Sequence, residues 1–116
     1  MAQFAYVEWL FWWLIETGAF EFDWDTGNSD KSQKKHGVPD ALVEECFQDD
    51  SKVPLGVQFD PPVDEERMAV LATSTSGLLM VVFTLRNGKV RPISARPANR
   101  KEKKVYETFR KTIERV

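Results

Sequence analysis

The 116-residue sequence predicts a single α+β domain, an antiparallel sheet with helices before it and one helix after it. Three observations carry that prediction. Residues 67–95 fall into three apolar runs separated by turn residues, the pattern of consecutive strands. Asn87-Gly88 stands between the last two runs as a hairpin signal, because both central positions of such a turn need positive φ. From about Asn99 onward, Val105, Phe109 and Ile113 recur every four residues, as on the buried side of a helix, and Glu107 is placed to meet Lys111.

Taken in order, the chain opens on an apolar stretch. From Phe4 to Ile15 only Glu8 is polar, and the run holds Trp9, Trp12 and Trp13. Twelve helical residues reach about 18 Å, short of the ~30 Å hydrocarbon core, so stable membrane insertion is not expected. Residues 1–19 therefore read as an apolar N-terminal helical extension to a domain of residues 20–116. A helix apolar nearly all round must be covered by its own domain, a second copy or a partner protein. Self-association as a homodimer through residues 4–15 is the favoured reading; an interfacial membrane role suits it poorly, because the segment lacks a basic face. The uncharged start Met1-Ala2-Gln3 and the Glu16-Thr17-Gly18 that follows the run do not resemble a secretory signal, which points to the cytoplasm.

Phe20 to Trp24 alternates as a short strand, with Phe20, Phe22 and Trp24 on one face. Asp25-Thr26-Gly27-Asn28 is a turn into a short polar helix that carries Lys31, Lys34 and Lys35, closes on His36 and stops at Gly37. Asp40, after Pro39, is placed to cap a second helix with Leu42, Val43, Cys46 and Phe47 as its apolar stripe. Residues 49–66, acidic and holding Pro54, Pro61 and Pro62, read as a long loop with a brief strand at 57–59. Strands follow over 67–73, 78–85 and 90–95, and Pro92 puts the last at an edge or breaks it locally.

One cysteine and one histidine rule out an internal disulfide framework and a histidine-based zinc cage, so neither metal nor cofactor is expected. The formal charge of -2 conceals a steep gradient. Residues 1–30 hold six acids and no Lys or Arg, residues 37–66 hold nine acids against Lys52, and residues 86–116 hold eleven cations against three acids. A C-terminal third this basic suits phosphate contact through counterion release; the ordinary alternative is a solvated helix paired with the acidic middle of the chain.

No Gly-rich phosphate loop, nucleophile elbow or metal-ligand cluster is present. What remains is Lys35-His36 at a helix end and Arg91, Ser94 and Arg96 on one strand. In a regular strand Ser94 and Arg96 share a face while Arg91 looks the other way, unless Pro92 disturbs the count. Metal-free RNA cleavage needs a group to take the 2′-hydroxyl proton, cations on the phosphate, and an acid for the leaving 5′-oxygen. Histidine and arginine suit these tasks. Each residue also has an ordinary explanation: His36 as a helix-terminal side chain satisfied by a carbonyl, the arginines in ion pairs with Glu44, Glu45, Asp49 or Asp50, Tyr106 at the core edge with its hydroxyl in water, and Cys46 as a small buried hydrophobe. On these grounds alone a ribonuclease, a binding module and a structural subunit all stay open.

Phe22-Asp23-Trp24-Asp25, Gly27-Asn28, Lys31, Lys35-His36-Gly37-Val38, Glu66-Arg67, the run 79–84, Arg86-Asn87-Gly88-Lys89, Ile93-Ser94-Ala95-Arg96, Ala98-Asn99-Arg100-Lys101-Glu102 and Tyr106, in this order and spacing, resemble the BrnT family of toxins from bacterial type II toxin-antitoxin modules. The resemblance covers about residues 20–109. It implies a RelE-like fold, RNA cleavage that halts translation, and neutralisation by a ribbon-helix-helix, BrnA-like antitoxin whose complex alone binds operator DNA. It points to Lys35, His36, Arg67 and Arg96 as catalytic residues, with Lys31, Arg91, Ser94, Arg100 and Lys101 toward the RNA. The chemistry then suggests His36 for proton transfer, Arg96 and Arg67 on the scissile phosphate, and Lys35 and Arg91 on the backbone. The rival within the resemblance is a catalytically inactive member that serves as a protein-binding or operator co-repressor subunit. The sequence departs from the family pattern in three places. Ser32 stands where related sequences often have Asn, Pro92 interrupts the arginine strand, and the first 19 residues have no counterpart.

Overall fold

The computed structural model describes residues 2–114; the Ile113 side chain, expected on the buried face of the last helix, lies outside the described residues. The chain runs β1 (Gln3–Ala5), α1 (Glu8–Glu16), α2 (Lys31–His36), α3 (Asp40–Cys46), β2 (Val53–Asp60), β3 (Met68–Ser74), β4 (Gly77–Arg86), β5 (Lys89–Pro97) and α4 (Arg100–Glu114). All five strands form one antiparallel sheet in the order β1-β2-β3-β4-β5. The α+β class is as the sequence predicts.

Strand alternation sends the core to two faces. On one, Met68, Val70 and Ala72 of β3 and Leu79, Val81 and Phe83 of β4 pack against Leu10 and Leu14 of α1, and against Val43, Cys46 and Phe47 at α3. On the other, Ala69, Leu71, Met80 and Val82 meet Tyr106 and Phe109 of α4. Rings thicken the first layer: Phe47 lies edge-on to Phe83 at 5.3 Å and to Phe22 at 5.4 Å, and Trp13 stacks on Phe83 at 6.1 Å.

Several local expectations are corrected. The N-terminal helix starts at Glu8, and Gln3–Ala5 before it is an edge strand on β2. Leu10 and Leu14 are buried in the domain core, a burial worth about 1.5–3 kcal/mol for each side chain. Residues 53–60 form a full strand in place of a brief one at 57–59, with a register shift between Pro54 and Gly56 that accommodates the proline. Gly56 has φ 132°, and a Cβ there would collide with the Ala5 carbonyl, so the approach of β1 requires glycine. Phe20 to Trp24 makes only a single parallel bridge, Phe22 to Val90, although Phe20, Phe22 and Trp24 do share the face packed on the core. Asp40 starts α3 without capping it; its carboxylate accepts instead from Ser29 Oγ at 2.7 Å and Asp30 N at 3.0 Å. On α4 the buried side is centred on Tyr106, and Val105 is 40% exposed.

The hairpin forms as its sequence requires, Asn87 and Gly88 taking φ 54° and 77°. Among the described residues, no helix is long and apolar enough to cross a membrane.

Candidate functional site

β5 is an edge strand, as Pro92 suggested, and it is also bulged. Phe83 pairs with Pro92 while Val82 pairs with Ser94, so Ile93 is an extra residue. The bulge changes which residues share a face. Val90 and Ala95, five apart, both enter the core packed under α1 and α3, and their neighbours Arg91 and Arg96 therefore lie on the α4 side. Arg91 stands opposite Thr84, Ser94 opposite Val82 and Arg96 opposite Met80, three positions on one face of β4. The regular-strand count set Arg91 against Arg96, and the bulge reverses it. Continuing the β3 register one residue past Met68 puts Arg67 opposite Thr84 on that same face. Four candidate residues thus share one surface. Arg91 and Arg67 stand at one end, and Arg96 lies about 13 Å further along the strands.

The outer edge of β5 is covered by residues 21–36. Val90 N donates to Glu21 O and Asp23 N donates to Val90 O, both at 2.8 Å. Buried Asn28 donates to the carbonyls of Asp23 and Pro92, each at 2.9 Å, and accepts from Asp25 N. Ser32, buried, accepts from Ala95 N at 2.8 Å, so the helix keeps a polar contact to the strand with serine in place of asparagine. These anchors run in the same direction, Asn28 at Pro92 and then Ser32 at Ala95. The first turn of α2 is therefore pinned to β5 at Ala95, next to Arg96. His36 is four residues after Ser32, on the same side of the helix, and is half-buried; Lys35 beside it is exposed, as is Lys31 at the start of the helix.

Three of the four candidate arginines, Arg67, Arg91 and Arg96, are engaged by carboxylates. Arg96 grips Glu102 with two nitrogens at 2.8 and 2.7 Å. That hydrogen bond raises the Arg96 pKa. Burial works against the Glu102 carboxylate, but the bonds from Arg96 and from Asn99 N outweigh it and hold its pKa below the ordinary value. Glu102 N in turn donates to Asn99 Oδ1 at 2.8 Å, completing a reciprocal cap on α4. At the other end Arg91 reaches Asp25 at 3.0 and 3.1 Å and Asp23 at 3.7 Å, while Arg86 stands 3.9 Å from Asp23. The Asp25 bond raises the Arg91 pKa, and the same bond lowers that of Asp25. Arg67 pairs with Glu65 at 3.1 Å.

None of these partners is one of the acids the sequence suggested. Glu44 accepts from Trp24 Nε1 at 2.6 Å, and Glu45 accepts from Thr75 N at 2.6 Å. Asp49 accepts from Thr73 N at 2.8 Å and from the Tyr106 hydroxyl at 2.9 Å. Tyr106 is thus buried with its hydroxyl bonded inside the protein, not in water. Burial above all raises its pKa, and Asp49 acts in the same direction. The roles of Asp23, Asp25 and Glu102 were missed from sequence. Only the Asn99-x-x-Glu102 spacing, a capping pattern, carried a signal for any of them.

Arg96, Arg100 and Lys101 lie together where β5 turns into α4, and Arg100 and Lys101 are exposed. These cations make a rim that can hold a phosphodiester, and an imidazole such as that of His36 suits proton exchange. A separate cavity of about 680 Å³, lined by Leu14, Phe20, Phe22, Phe47 and Lys52 among others, contains none of the candidate residues.

A family model described as the ribonuclease toxin, BrnT, of type II toxin-antitoxin systems matches residues 24–102. No curated protein matches the chain. The matched span takes in α2, α3, β2 to β5 and the first turn of α4, and begins after β1 and α1.

Proposed function

The chain belongs to the BrnT family of ribonuclease toxins of type II toxin-antitoxin systems, and from that premise we propose that it is a RelE-like endoribonuclease that needs no metal ion. The observation that supports this reading is the Ser32 to Ala95 bond, which anchors the first turn of α2, the helix that ends on Lys35 and His36, to β5 next to Arg96. His36 takes the proton of the 2′-hydroxyl, and the 2′-oxygen attacks the adjacent phosphorus. Arg96 bears the charge that develops on the phosphorane oxygens, and Lys35 assists it. The bond to the 5′-oxygen breaks, that oxygen takes the proton back from His36, and a 2′,3′-cyclic phosphate remains. Arg67, expected on the scissile phosphate, lies instead with Arg91 some 13 Å from Arg96 along the strands, and on this reading the two hold the RNA strand away from the cut, with Ser94 between. Lys31, Arg100 and Lys101 add phosphate contacts around the rim.

Cutting mRNA in the cytoplasm halts translation. The antitoxin partner that the family implies is, on this reading, a ribbon-helix-helix protein, and operator DNA is bound only by the complex.

One observation favours a second reading. Arg67, Arg91 and Arg96 are all engaged by carboxylates, as expected of a catalytically inactive member that works as a protein-binding or operator co-repressor subunit. Cleavage of a labelled RNA by the purified chain in EDTA separates the two. The enzyme reading expects cyclic phosphate ends, loss of about 10²–10⁴-fold in His36→Ala, and a comparable loss in Arg96→Ala with the fold intact. Full activity in Arg96→Ala overturns the site. Absence of cleavage with and without ribosomes, alongside intact antitoxin binding, establishes the second reading.

A further inference from the structure

α1 carries Glu8, Trp12 and Glu16 at four-residue spacing, a single ridge along its outer side. Trp12 is 48% exposed, and Trp9 and Ile15 on either flank are 43% and 57% exposed. With Tyr6 these side chains offer on the order of 400 Å² of apolar surface, a patch of the size that marks an interaction site. The ridge is acidic at both ends: Glu8 accepts from Trp12 Nε1 at 3.2 Å, and neither Lys nor Arg occurs in the first thirty residues.

α4 carries the complement. Lys101, Val105 and Phe109 form one row and Lys104, Thr108 and Thr112 the next, each at four-residue spacing, with an open groove of about 440 Å³ along them. Its floor is apolar and its first turns are basic. The two surfaces are continuous within one molecule. Trp12 meets Phe11 edge-on at 5.2 Å, and Phe11 meets Phe109 at 5.9 Å, so the acidic ridge and the basic groove adjoin where α1 meets α4, as halves of one outer surface. A face split in this way into complementary halves is matched by its own copy across a two-fold axis.

We propose that two copies of this chain associate through this face, the α1 ridge of each seated in the α4 groove of the other. Trp12 fills the groove beside Val105, and Glu8 and Glu16 meet Lys104 at its rim. Each copy contributes both helices, which brings the buried area toward the ~800 Å² per partner of a stable dimer. The inference is independent of whether the protein cuts RNA.

Light scattering on the purified full chain at tens of micromolar tests it. The wild type is expected at twice the 13.4 kDa of one chain. Two charge-reversed proteins follow, one Glu8→Lys with Glu16→Lys, the other Lys104→Glu with Thr108→Glu. Each alone is expected at a single chain's mass, because its altered helix repels the unaltered helix of a second copy. Mixed, they are expected to return to twice that mass, since both new pairings are again of opposite charge. Trp12→Ala supplies the same single-chain result without a charge change should either reversed protein fail to fold. A monomeric wild type overturns the proposal, and so do reversed proteins that remain dimeric alone or stay apart when mixed.

Discussion

Arg96 at the end of β5 and Glu102 in the first turn of α4 are joined by two parallel hydrogen bonds of 2.8 and 2.7 Å, and the same carboxylate caps α4 through Asn99 N. One acid therefore fixes the helix start and neutralises the arginine proposed to act on the phosphate. Glutamine at position 102 keeps the shape of the cap and removes the charge. Glu102→Gln is expected to tighten RNA binding and to steepen the slope of log K against log salt by about 0.7, the increment for one more phosphate contact on a single strand. Titrations at three or more salt concentrations would measure it; an unchanged slope would mean that Arg96 does not reach phosphate.

The same pair sets an acid limit on stability. The folded state holds the Glu102 pKa below its ordinary 4.5, so the pair contributes fully above that value and is lost as pH falls through the lowered one. Urea midpoints of the wild type should drop below pH 4.5. In Glu102→Gln that part of the acid dependence should vanish, at a cost near neutrality of about 1 kcal/mol.

Tyr106 ties α4 to the loop after α3 and to β3. Its hydroxyl donates to Asp49 Oδ2 at 2.9 Å and accepts from Thr73 Oγ1 at 3.2 Å, and Asp49 also holds Thr73 N. Tyr106→Phe should cost about 1–2 kcal/mol with an unchanged denaturant slope, because a half-buried carboxylate loses one of its donors. Activity per folded molecule should not change, since the hydroxyl is turned inward to Asp49 and Thr73.

Among the described residues, Ser32 is the side chain that hydrogen-bonds α2 to β5, through buried Ala95 N. Ser32→Ala leaves that N–H without its acceptor and should cost about 1–3 kcal/mol. Amide exchange at Ala95 and along α2 should speed up in step. RNA cleavage should fall by more than the loss of folded protein explains, because His36 and Lys35 are held one turn further on.

What the sequence announced and what it concealed have physical reasons. The hairpin at Asn87-Gly88 was legible because positive φ restricts residue choice, and β4 because a run so apolar has few other places to go. β2 was hidden by Pro54 and Gly56, each a strand breaker except at a register shift, where both occur. β1 has three residues and pairs only with β2, so it could not be read without it. The rotation of α4 toward Tyr106 follows from a polar attraction to Asp49, fifty-seven residues away, that apolar periodicity does not register. At the site, composition identified the arginines, but the extra residue Ile93 decided which face they share, and the acids on Arg91 come from a distant segment at Asp23 and Asp25, while Glu65 and Glu102 are local to Arg67 and Arg96.

Cys46 is fully buried on α3, its Sγ 3.6 Å from the Ala72 carbonyl oxygen. Burial, with Glu45 and Asp49 nearby, pushes the thiol up from an ordinary 9.0 to about 12. At pH 8 the folded protein therefore carries on the order of 10⁻⁴ thiolate, against roughly a quarter for a free cysteine of pKa near 8.5. Iodoacetamide should not label the native chain, and labelling should follow the urea unfolding curve measured by circular dichroism. The linkage has a definite sign. A group that binds its proton more tightly when folded stabilises the protein below its unfolded pKa, and that contribution is lost as pH rises toward the folded one. Stability should thus decline from about pH 9 toward 12, and Cys46→Ala should remove that part of the alkaline decline while leaving the Tyr106 part. Rapid labelling of folded protein at pH 8 would instead mean that α3 detaches from β3 without global unfolding.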